Sequence, residues 1–462
     1  MEKKNIDRRQ FLKCLGAGAL AGSAALGCKS ESGTRTADAT EGGMTYRTNP
    51  STGDKVSLLG YGCMRWPLMA SPEGNGEIID QESVNSLVDY ALEHGVNYFD
   101  TAPPYCRGLS EKATGIALKR HPRDSYFIAT KMSNQSFLGK GFSPKQMYDA
   151  SVEMYRNSFV NLQTDYIDYY LLHIIGIGEG LPSLMERFVD SGLIDFLLEE
   201  RRLGHIRNLG FSYHGDVKAF DYLLSRHDEI HWDFVQIQMN YVDWKHASGI
   251  NHNAEYLYKE LADRDIPVVV MEPLLGGRLA GLAEHLNLRL KEQRTEDSIA
   301  AWAFRFAGSF PTVLTVLSGM TYMEHLQDNL RTFSPLEPCS EEEFALLEDT
   351  ALMMLQYPSV PCTACQYCMP CPYGIDIPGI FAHYNKCLNE GQITASSQDE
   401  NYRKARRAFL IGYNRSIPGL RQANHCIACG QCVPHCPQNI KIPQQLHRID
   451  HYVEQLKLSS GQ

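Results

Sequence analysis

The chain has 462 residues, 43% of them hydrophobic and 21% charged, a globular composition that excludes disorder and collagen-like repeats. Lys and Arg number 44 against 54 Asp and Glu, a net charge of -10, and no stretch gathers enough basic residues to follow a phosphate backbone, so nucleic acid is not an expected partner. No run reaches the roughly 18 uninterrupted apolar residues of a spanning helix, which excludes a multispan membrane protein. Of 14 cysteines, eight form two tight groups between Cys362 and Cys436, whereas Cys63, Cys106 and Cys339 are scattered and outline no disulfide framework. The grouped cysteines point to metal.

At the N-terminus, Asp7-Arg8-Arg9-Gln10-Phe11-Leu12-Lys13 precedes a short, small-residued apolar stretch from Cys14 to Gly27. This resembles a twin-arginine export signal. The plainer alternative is a basic N-terminal helix of a cytoplasmic protein. Ala25-Leu26-Gly27-Cys28 also resembles a lipoprotein processing site, with Ala25 where Leu is usual. Residues 1–28 are therefore set aside as a signal peptide. Cleavage before Cys28 leaves 39 basic and 52 acidic residues, a net charge of -13. Residues 29–43 are small and polar without periodicity, and read as a flexible tether.

From Met44 to about residue 335, short apolar runs rich in β-branched and aromatic residues alternate with longer amphipathic stretches. Strands are predicted at 57–63, 97–101, 126–131, 166–173, 206–212, 234–240, 267–272 and 312–318. Helical patterns separate them: Gln81 to His94 places Val84, Leu87, Val88 and Leu92 on one face, and Ser298 to Ala307 carries Ala301, Trp302 and Phe304. Eight β/α units over this length fit a (β/α)8 TIM barrel, typically ~250 residues, better than an open doubly wound sheet. No G-x-G-x-x-G follows the first strand, so a Rossmann fold has no support. Glu337 to Leu355 reads as a linker helix, within a linker at 336–357. A smaller, mainly helical second domain follows at 358–455, with helical spacing around Ile380, Phe381 and Tyr384 and around Ala405, Phe409 and Leu410.

Asp100 ends the second predicted strand and Tyr105 follows it in FDTAPPY; Lys131 ends the third in FIATK and His173 the fourth in YIDYYLLH. All four fall where strand C-termini face a barrel mouth. On these residues, and over essentially the whole barrel, the sequence resembles the aldo-keto reductases, whose Asp, Tyr, Lys and His set it carries in order. Taken singly, a core tyrosine, a surface lysine and a satisfied histidine are the bland readings. Together they make chemical sense, because hydride delivery to a carbonyl builds negative charge on oxygen and needs a proton donor. A phenol with a pKa near ~10 gives its proton reluctantly, so Tyr105 is expected to be assisted by the Lys131 cation, itself fixed by Asp100. A neutral His173 is placed to orient the substrate oxygen.

The resemblance implies a nicotinamide cofactor, NAD(P)(H), with carboxamide contacts from a Ser-Asn pair and a Gln; the matching residues here are Ser212-Tyr213 and Gln236. Where the family often stacks a tyrosine, this chain has Met271-Glu272-Pro273, and Met271 reads equally as core. Ser318, Gly319, Met320 and Thr321, then His325, Asp328 and Asn329, match the family's phosphate and adenine site. Met320 and His325 stand where cations usually grip a 2'-phosphate, which leaves the choice between NAD and NADP open. His325 reads equally as an exposed helix residue.

Cys362, Cys365, Cys368 and Cys371 precede Pro372 as C-x2-C-x2-C-x2-C-P, and Cys426, Cys429, Cys432 and Cys436 precede Pro437 as C-x2-C-x2-C-x3-C-P. The second run matches the bacterial ferredoxin pattern, in which the fourth Cys ligates the other cluster. That predicts two [4Fe-4S] clusters with interleaved ligands: Cys362, Cys365 and Cys368 with Cys436, and Cys426, Cys429 and Cys432 with Cys371. Structural zinc is the alternative for paired C-x2-C motifs. With its long helical insert the segment resembles the α-helical ferredoxins. Cys387 lies outside both runs and reads as a buried structural thiol.

The expectation is an exported oxidoreductase, periplasmic or held at the membrane as a lipoprotein, that interconverts a carbonyl and an alcohol. Its partners would be the small-molecule substrate, the twin-arginine export machinery and a redox partner at the membrane or in the periplasm that exchanges electrons through the clusters. The rival reading is a redox-sensing or accessory binding subunit with structural clusters.

Overall fold

Eight short strands close into a barrel: β1 (Leu59–Gly62), β2 (Tyr98–Asp100), β3 (Phe127–Met132), β4 (Ile167–Ile175), β5 (Ile206–Tyr213), β6 (Phe234–Gln238), β7 (Val268–Met271) and β8 (Val313–Ser318). All neighbours pair in parallel, and β8 returns to β1 through Val316, Leu317 and Ser318. The computed structural model describes residues 38–39, 43–72, 74, 77–248, 251–355, 359–394 and 399–458. Each strand matches its predicted range to within two residues at either end. The proposed signal peptide, Cys28 and most of the tether lie outside the described residues. Among the described residues no helix is long and apolar enough to cross a membrane.

Parallel strands are covered on both faces, so they read as continuous apolar runs, and all nine residues of β4 are buried. Tyr98, Ala129, Tyr169, Leu171, Phe234, Val269 and Leu314 pack together inside the barrel. An antiparallel hairpin, Thr45–Thr48 with Lys55–Ser57, covers the N-terminal end of the strands. Its Val56 joins the interior cluster, Asn49 bonds Asn208 at 3.0 Å, and Asp54 accepts from the Tyr169 hydroxyl at 2.9 Å. The floor is sealed, and the C-terminal ends of the strands are left as the mouth.

The surrounding helices start where the sequence offers a cap. Asp80 accepts from Ser83 N at the start of Gln81–Glu93, which buries Val84, Leu87, Val88 and Ala91. Ser298 does the same for Ile299–Gly308, and Ser143 with Gln146 forms a reciprocal capping box for Pro144–Leu162. The linker helix runs from Glu341 to Leu355. Buried Arg305 ties it to the barrel by a 2.7 Å ion pair with Glu343, which also accepts from Arg294 at 2.6 Å.

The cysteine-rich segment is helical, with Ile377–Asn389, Tyr402–Ser416 and Ile442–Leu458 packing Ile380, Phe381, Tyr384, Phe409, Tyr413, Leu446, Ile449 and Val453 into their own core. Cys387 is buried there, its Sγ 3.4 Å from His383 Nε2. Asn385 exchanges two hydrogen bonds with the Val360 backbone, fixing the chain just before the first cysteine.

Burial acts to raise the Glu343 pKa, but hydrogen bonds from Arg305, Ser340 N and Arg294 outweigh it and hold the carboxyl at about 2, against an ordinary 4.5. A depressed carboxyl stabilises the fold above its unfolded pKa, and the contribution is lost as pH falls through the folded value. Glu343→Gln should therefore be less stable than wild type at pH 7 in urea unfolding, with the difference shrinking between about pH 4.5 and about 2.

Candidate active site at the barrel mouth

Asp100 is the last residue of β2 and Lys131 the penultimate residue of β3, and paired neighbouring strands bring their side chains together. Lys131 Nζ donates to Asp100 Oδ1 at 2.6 Å and to Thr101 O at 2.7 Å, with both side chains buried. Burial pushes the Asp100 carboxyl up and the Lys131 amine down, and the short contact offsets both, so the charged pair is the state the geometry holds. Lys131 Nζ stands 4.9 Å from the centroid of the Tyr105 ring. The expected depression of the Tyr105 phenol is not found. Burial raises it well above its ordinary value, with further contributions from Tyr367, Asp100 and Glu272, while Lys131 directs two hydrogen bonds at Asp100 and Thr101. Tyr105 is firmly protonated.

His173, near the end of β4, packs edge-on to Tyr105 with ring centroids 6.0 Å apart. Burial pulls its pKa well below the ordinary value, and the Lys131, His214 and Arg187 groups add to this, so the imidazole is neutral. Ser133 Oγ lies 2.6 Å from His173 Nδ1. If the serine donates, the remaining proton sits on Nε2. Buried Arg187 donates to His173 O at 2.5 Å and Ile174 O at 3.1 Å, holding Ile174 at a φ of 54° that a β-branched residue rarely adopts. Neither Ser133 nor Arg187 carries a sequence signal, since their importance lies in contacts 40 and 14 residues away along the chain.

The first cysteine run closes the mouth. Arg65, after β1, donates to Thr363 O at 2.6 Å. Gly276, after β7, packs so closely on Thr363 that a Cβ on it would come within 2.2 Å of the Thr363 Cα. Gln438 donates to Gln238, at the end of β6, at 3.0 Å, and Arg278 donates to Ser359 at 2.7 Å. Tyr367, in the first cysteine run, is an electrostatic neighbour of Tyr105, and each phenol affects the other's ionisation. Glu272, with a left-handed φ of 54°, follows β7 in the same region; burial pushes its carboxyl up to about 7.

Cys362, Cys365, Cys368 and Cys436 surround one recess, completed by Ile377, Phe381, Ile440 and Ile442. The Cys432 thiol is pushed up to about 11, by burial first and then by its neighbours Cys426, Cys371 and Cys429. The structure thus brings Cys436 to Cys362, Cys365 and Cys368, and Cys371 to Cys426, Cys429 and Cys432. Among the described residues no three Cys, His, Asp or Glu side chains converge as ligands of a single metal ion.

The Aldo/keto reductase family pattern matches residues 59–351. This chain belongs to that family. A 4Fe-4S dicluster domain matches residues 361–440, over the cysteine-rich segment. The chain is similar to protein tas of Escherichia coli, 26% identical over 332 residues that cover 63% of this chain and 93% of that protein. It is also similar to L-galactose dehydrogenase of Arabidopsis thaliana, 26% identical over 336 residues covering 67% and 94% of the two chains. The holo form of an aldo-keto reductase from Bacillus halodurans shares the fold, with a TM-score of 0.51 at 24% identity over 66% of this chain and 96% of that one. The chain is therefore an oxidoreductase of the aldo/keto reductase family carrying a 4Fe-4S domain.

Several of the residues matched to the family's nicotinamide site have other partners. Buried Gln236 leaves its Oε1 without a hydrogen-bond partner while its Nε2 reaches the Met271 sulfur at 3.5 Å. An orphaned acceptor in the mouth fits a carboxamide N–H. Ser212 Oγ accepts Ile174 N at 3.0 Å, and Tyr213 bonds Gly215 O with its ring on Phe220, 5.2 Å away. Tyr213 therefore does not replace the missing asparagine. Met271 joins the barrel core. Beyond β8, Asn329 donates to Ser318 Oγ at 2.9 Å, Asp328 pairs with Arg331, and His325 is exposed. The Arg65 side chain covers Gly319 and continues to Thr363. Besides Ser133 and Arg187, the sequence gives no signal for Arg65 and Tyr367, and it places Glu272 beside Met271 without a role of its own. Arg65 and Glu272 fall in connecting loops, and Tyr367 is a spacer between cysteines, where any residue type preserves the motif.

Gly276→Val should separate the two parts of the mouth, because a left-handed φ of 69° and the Thr363 backbone both resist a side chain. The variant is expected to retain less iron after anaerobic desalting and to unfold at a lower temperature than wild type. Gly281→Ala, where no atom lies within 4 Å of the added Cβ, should match wild type in both measurements.

Proposed function

We propose that the chain interconverts a carbonyl and an alcohol with NAD(P)(H), using Tyr105 as the proton donor and acceptor, Lys131 and Asp100 as its charged support, and His173 to orient the substrate oxygen. The observation that carries this is the buried 2.6 Å Lys131–Asp100 pair beneath the Tyr105 ring, with neutral His173 beside it. The nicotinamide would supply or take hydride. Gln236 and Ser212 would receive its carboxamide, and Ser318, Gly319, Asp328 and Asn329 line the region proposed for its distal end.

In the direction of reduction, a substrate carbonyl oxygen sits between the Tyr105 hydroxyl and His173 Nε2. The high pKa of Tyr105 keeps its proton in place until negative charge develops on that oxygen. As the proton leaves, the Lys131 cation stabilises the resulting phenolate, and Asp100 keeps the cation where it is needed. The closed mouth strengthens these interactions by excluding water. Oxidation of an alcohol runs the same proton transfers in reverse.

The cysteine-rich segment would hold two [4Fe-4S] clusters. Oxidation of one alcohol releases two electrons and two protons, and two one-electron sites would match that stoichiometry. A redox partner protein at the membrane or in the periplasm would exchange the electrons. Export by the twin-arginine route suits a chain that must fold around its clusters before it leaves the cytoplasm, with Cys28 as the proposed lipid attachment.

Tyr105→Phe should lower turnover of carbonyl compounds by about 10²–10⁴-fold while nicotinamide affinity, measured by fluorescence titration, stays near that of wild type. Lys131→Met should behave similarly. Turnover near the wild-type level in Tyr105→Phe would remove the assignment. Iron per chain after anaerobic reconstitution should be about eight in wild type and fall towards about four in Cys432→Ser. A zinc-only preparation would contradict the cluster reading. Replacing Arg8 and Arg9 together by lysine should keep the protein in the cytoplasmic fraction while wild type is found outside it.

A further inference from the structure

The recess lined by Cys362, Cys365, Cys368 and Cys436 is bordered by two backbone turns that aim N–H groups at sulfur. Ala364 N donates to Cys362 Sγ at 3.4 Å, and Ile440 N donates to Cys436 Sγ at 3.5 Å. Each turn contains a left-handed residue, Ala364 itself with a φ of 52° and Asn439 with a φ of 47°. The Cβ of Ala364 disfavours that conformation, so its turn has to be held from outside.

The barrel holds both turns. Buried Thr363 stands between Cys362 and Ala364, where Arg65 donates to its carbonyl at 2.6 Å and Gly276 packs on its backbone. Buried Gln438 stands two residues before Ile440, and its Nε2 donates to Oε1 of Gln238, the last residue of β6, at 3.0 Å. The Gln238 amide has one orientation open to it, because its Nε2 donates to the Asp243 carboxylate, which also accepts from Asn240 at 2.8 Å. Its acceptor oxygen is therefore left facing Gln438. Cys426, in the other set, is tied within the cysteine-rich segment instead, its carbonyl 3.1 Å from His447 Nε2. An N–H aimed at a ligand sulfur favours the negative charge that reduction adds, so the potential of an iron-sulfur cluster follows such bonds.

We propose that Arg65 and Gln238 are positioning residues by which the barrel holds N–H groups on Cys362 and Cys436, and that they raise the reduction potential of the cluster these two cysteines would share with Cys365 and Cys368 while leaving the other cluster untouched. The proposal rests on the reading of the cysteine-rich segment as holding two [4Fe-4S] clusters on these ligand sets. Arg65 acts through Thr363, and Gln238 through Gln438.

The test uses the full chain, reconstituted anaerobically, as wild type, Gln238→Leu, Gln438→Leu, Arg65→Met and the double variants, with iron per chain measured in each. Redox titration followed by paramagnetic resonance should show one cluster moved to a more negative midpoint in every single variant and the other cluster unchanged. Gln238 and Gln438 carry no charge, so their shift reads hydrogen-bond geometry and not the field of a lost cation. Gln238→Leu and Gln438→Leu together should shift the midpoint no further than either alone, because they remove one shared bond, whereas Arg65→Met and Gln438→Leu release different sulfurs and should add. The moving signal should persist in a Cys432→Ser background, which lacks a ligand of the other set. Should Gln438→Leu load less iron, Gln238→Leu, whose side chain is not part of the recess lining, decides the same bond. Unchanged midpoints, a shift to more positive potential, or equal shifts of both clusters would overturn the proposal. A reconstituted wild type without any [4Fe-4S] signal would end the cluster reading itself, and the proposal with it.

Discussion

A lysine ammonium buried at the end of a barrel strand cannot stand alone, and the mouth is organised round that constraint. Lys131 is held by Asp100 and the Thr101 carbonyl. Removing one member of such a pair leaves an uncompensated buried charge, at a cost of about 3–5 kcal/mol. Lys131 lies beneath the Tyr105 ring and contributes, after burial, to keeping His173 neutral. Glu111 adds a more distant carboxylate to the field of Lys131 and is itself bonded by Thr130 and Asn161 at 2.7 and 3.2 Å. The result is a protonated phenol and a neutral imidazole arranged beside a fixed cation.

The cysteine-rich segment changes what kind of mouth this is. Arg65, Tyr105, Gln238 and Gly276 come from loops or ends after four different barrel strands, and all four meet that segment. The described residues of the barrel and of the cysteine-rich segment accordingly fall in one compact unit. A barrel in the same family without such a segment would leave this opening to its own loops. Here the loop that carries Cys362, Cys365, Cys368 and Cys371 is also a wall of the mouth.

The barrel was legible in the sequence because parallel strands buried on both faces leave dense apolar runs, and because Asp100, Tyr105, Lys131 and His173 fall at or just beyond strand ends, where position alone implies the mouth. Their mutual geometry was not fully legible. Charge pairing between Lys131 and Asp100 could be anticipated from neighbouring strands, but Tyr105 is raised by burial and then by Tyr367, more than 250 residues later in the chain. Tyr367 could not be distinguished from Gln366 as a spacer within C-x2-C. Tyr213 shows the converse: the sequence places it at a cofactor position, whereas its ring turns to Phe220 and its hydroxyl to its own loop.

The most direct measurement of the central claim, that barrel mouth and cysteine-rich segment work as one redox site, is anaerobic stopped-flow absorbance on the reconstituted full chain. NADH or NADPH is mixed with it together with a panel of carbonyl compounds, and the nicotinamide and iron-sulfur bands are followed at separate wavelengths. The account predicts carbonyl-dependent nicotinamide oxidation and a change in the iron-sulfur band during the same turnover. Nicotinamide oxidation with an unchanging iron-sulfur band would contradict it, leaving an aldo/keto reductase barrel beside a segment that takes no part in the reaction.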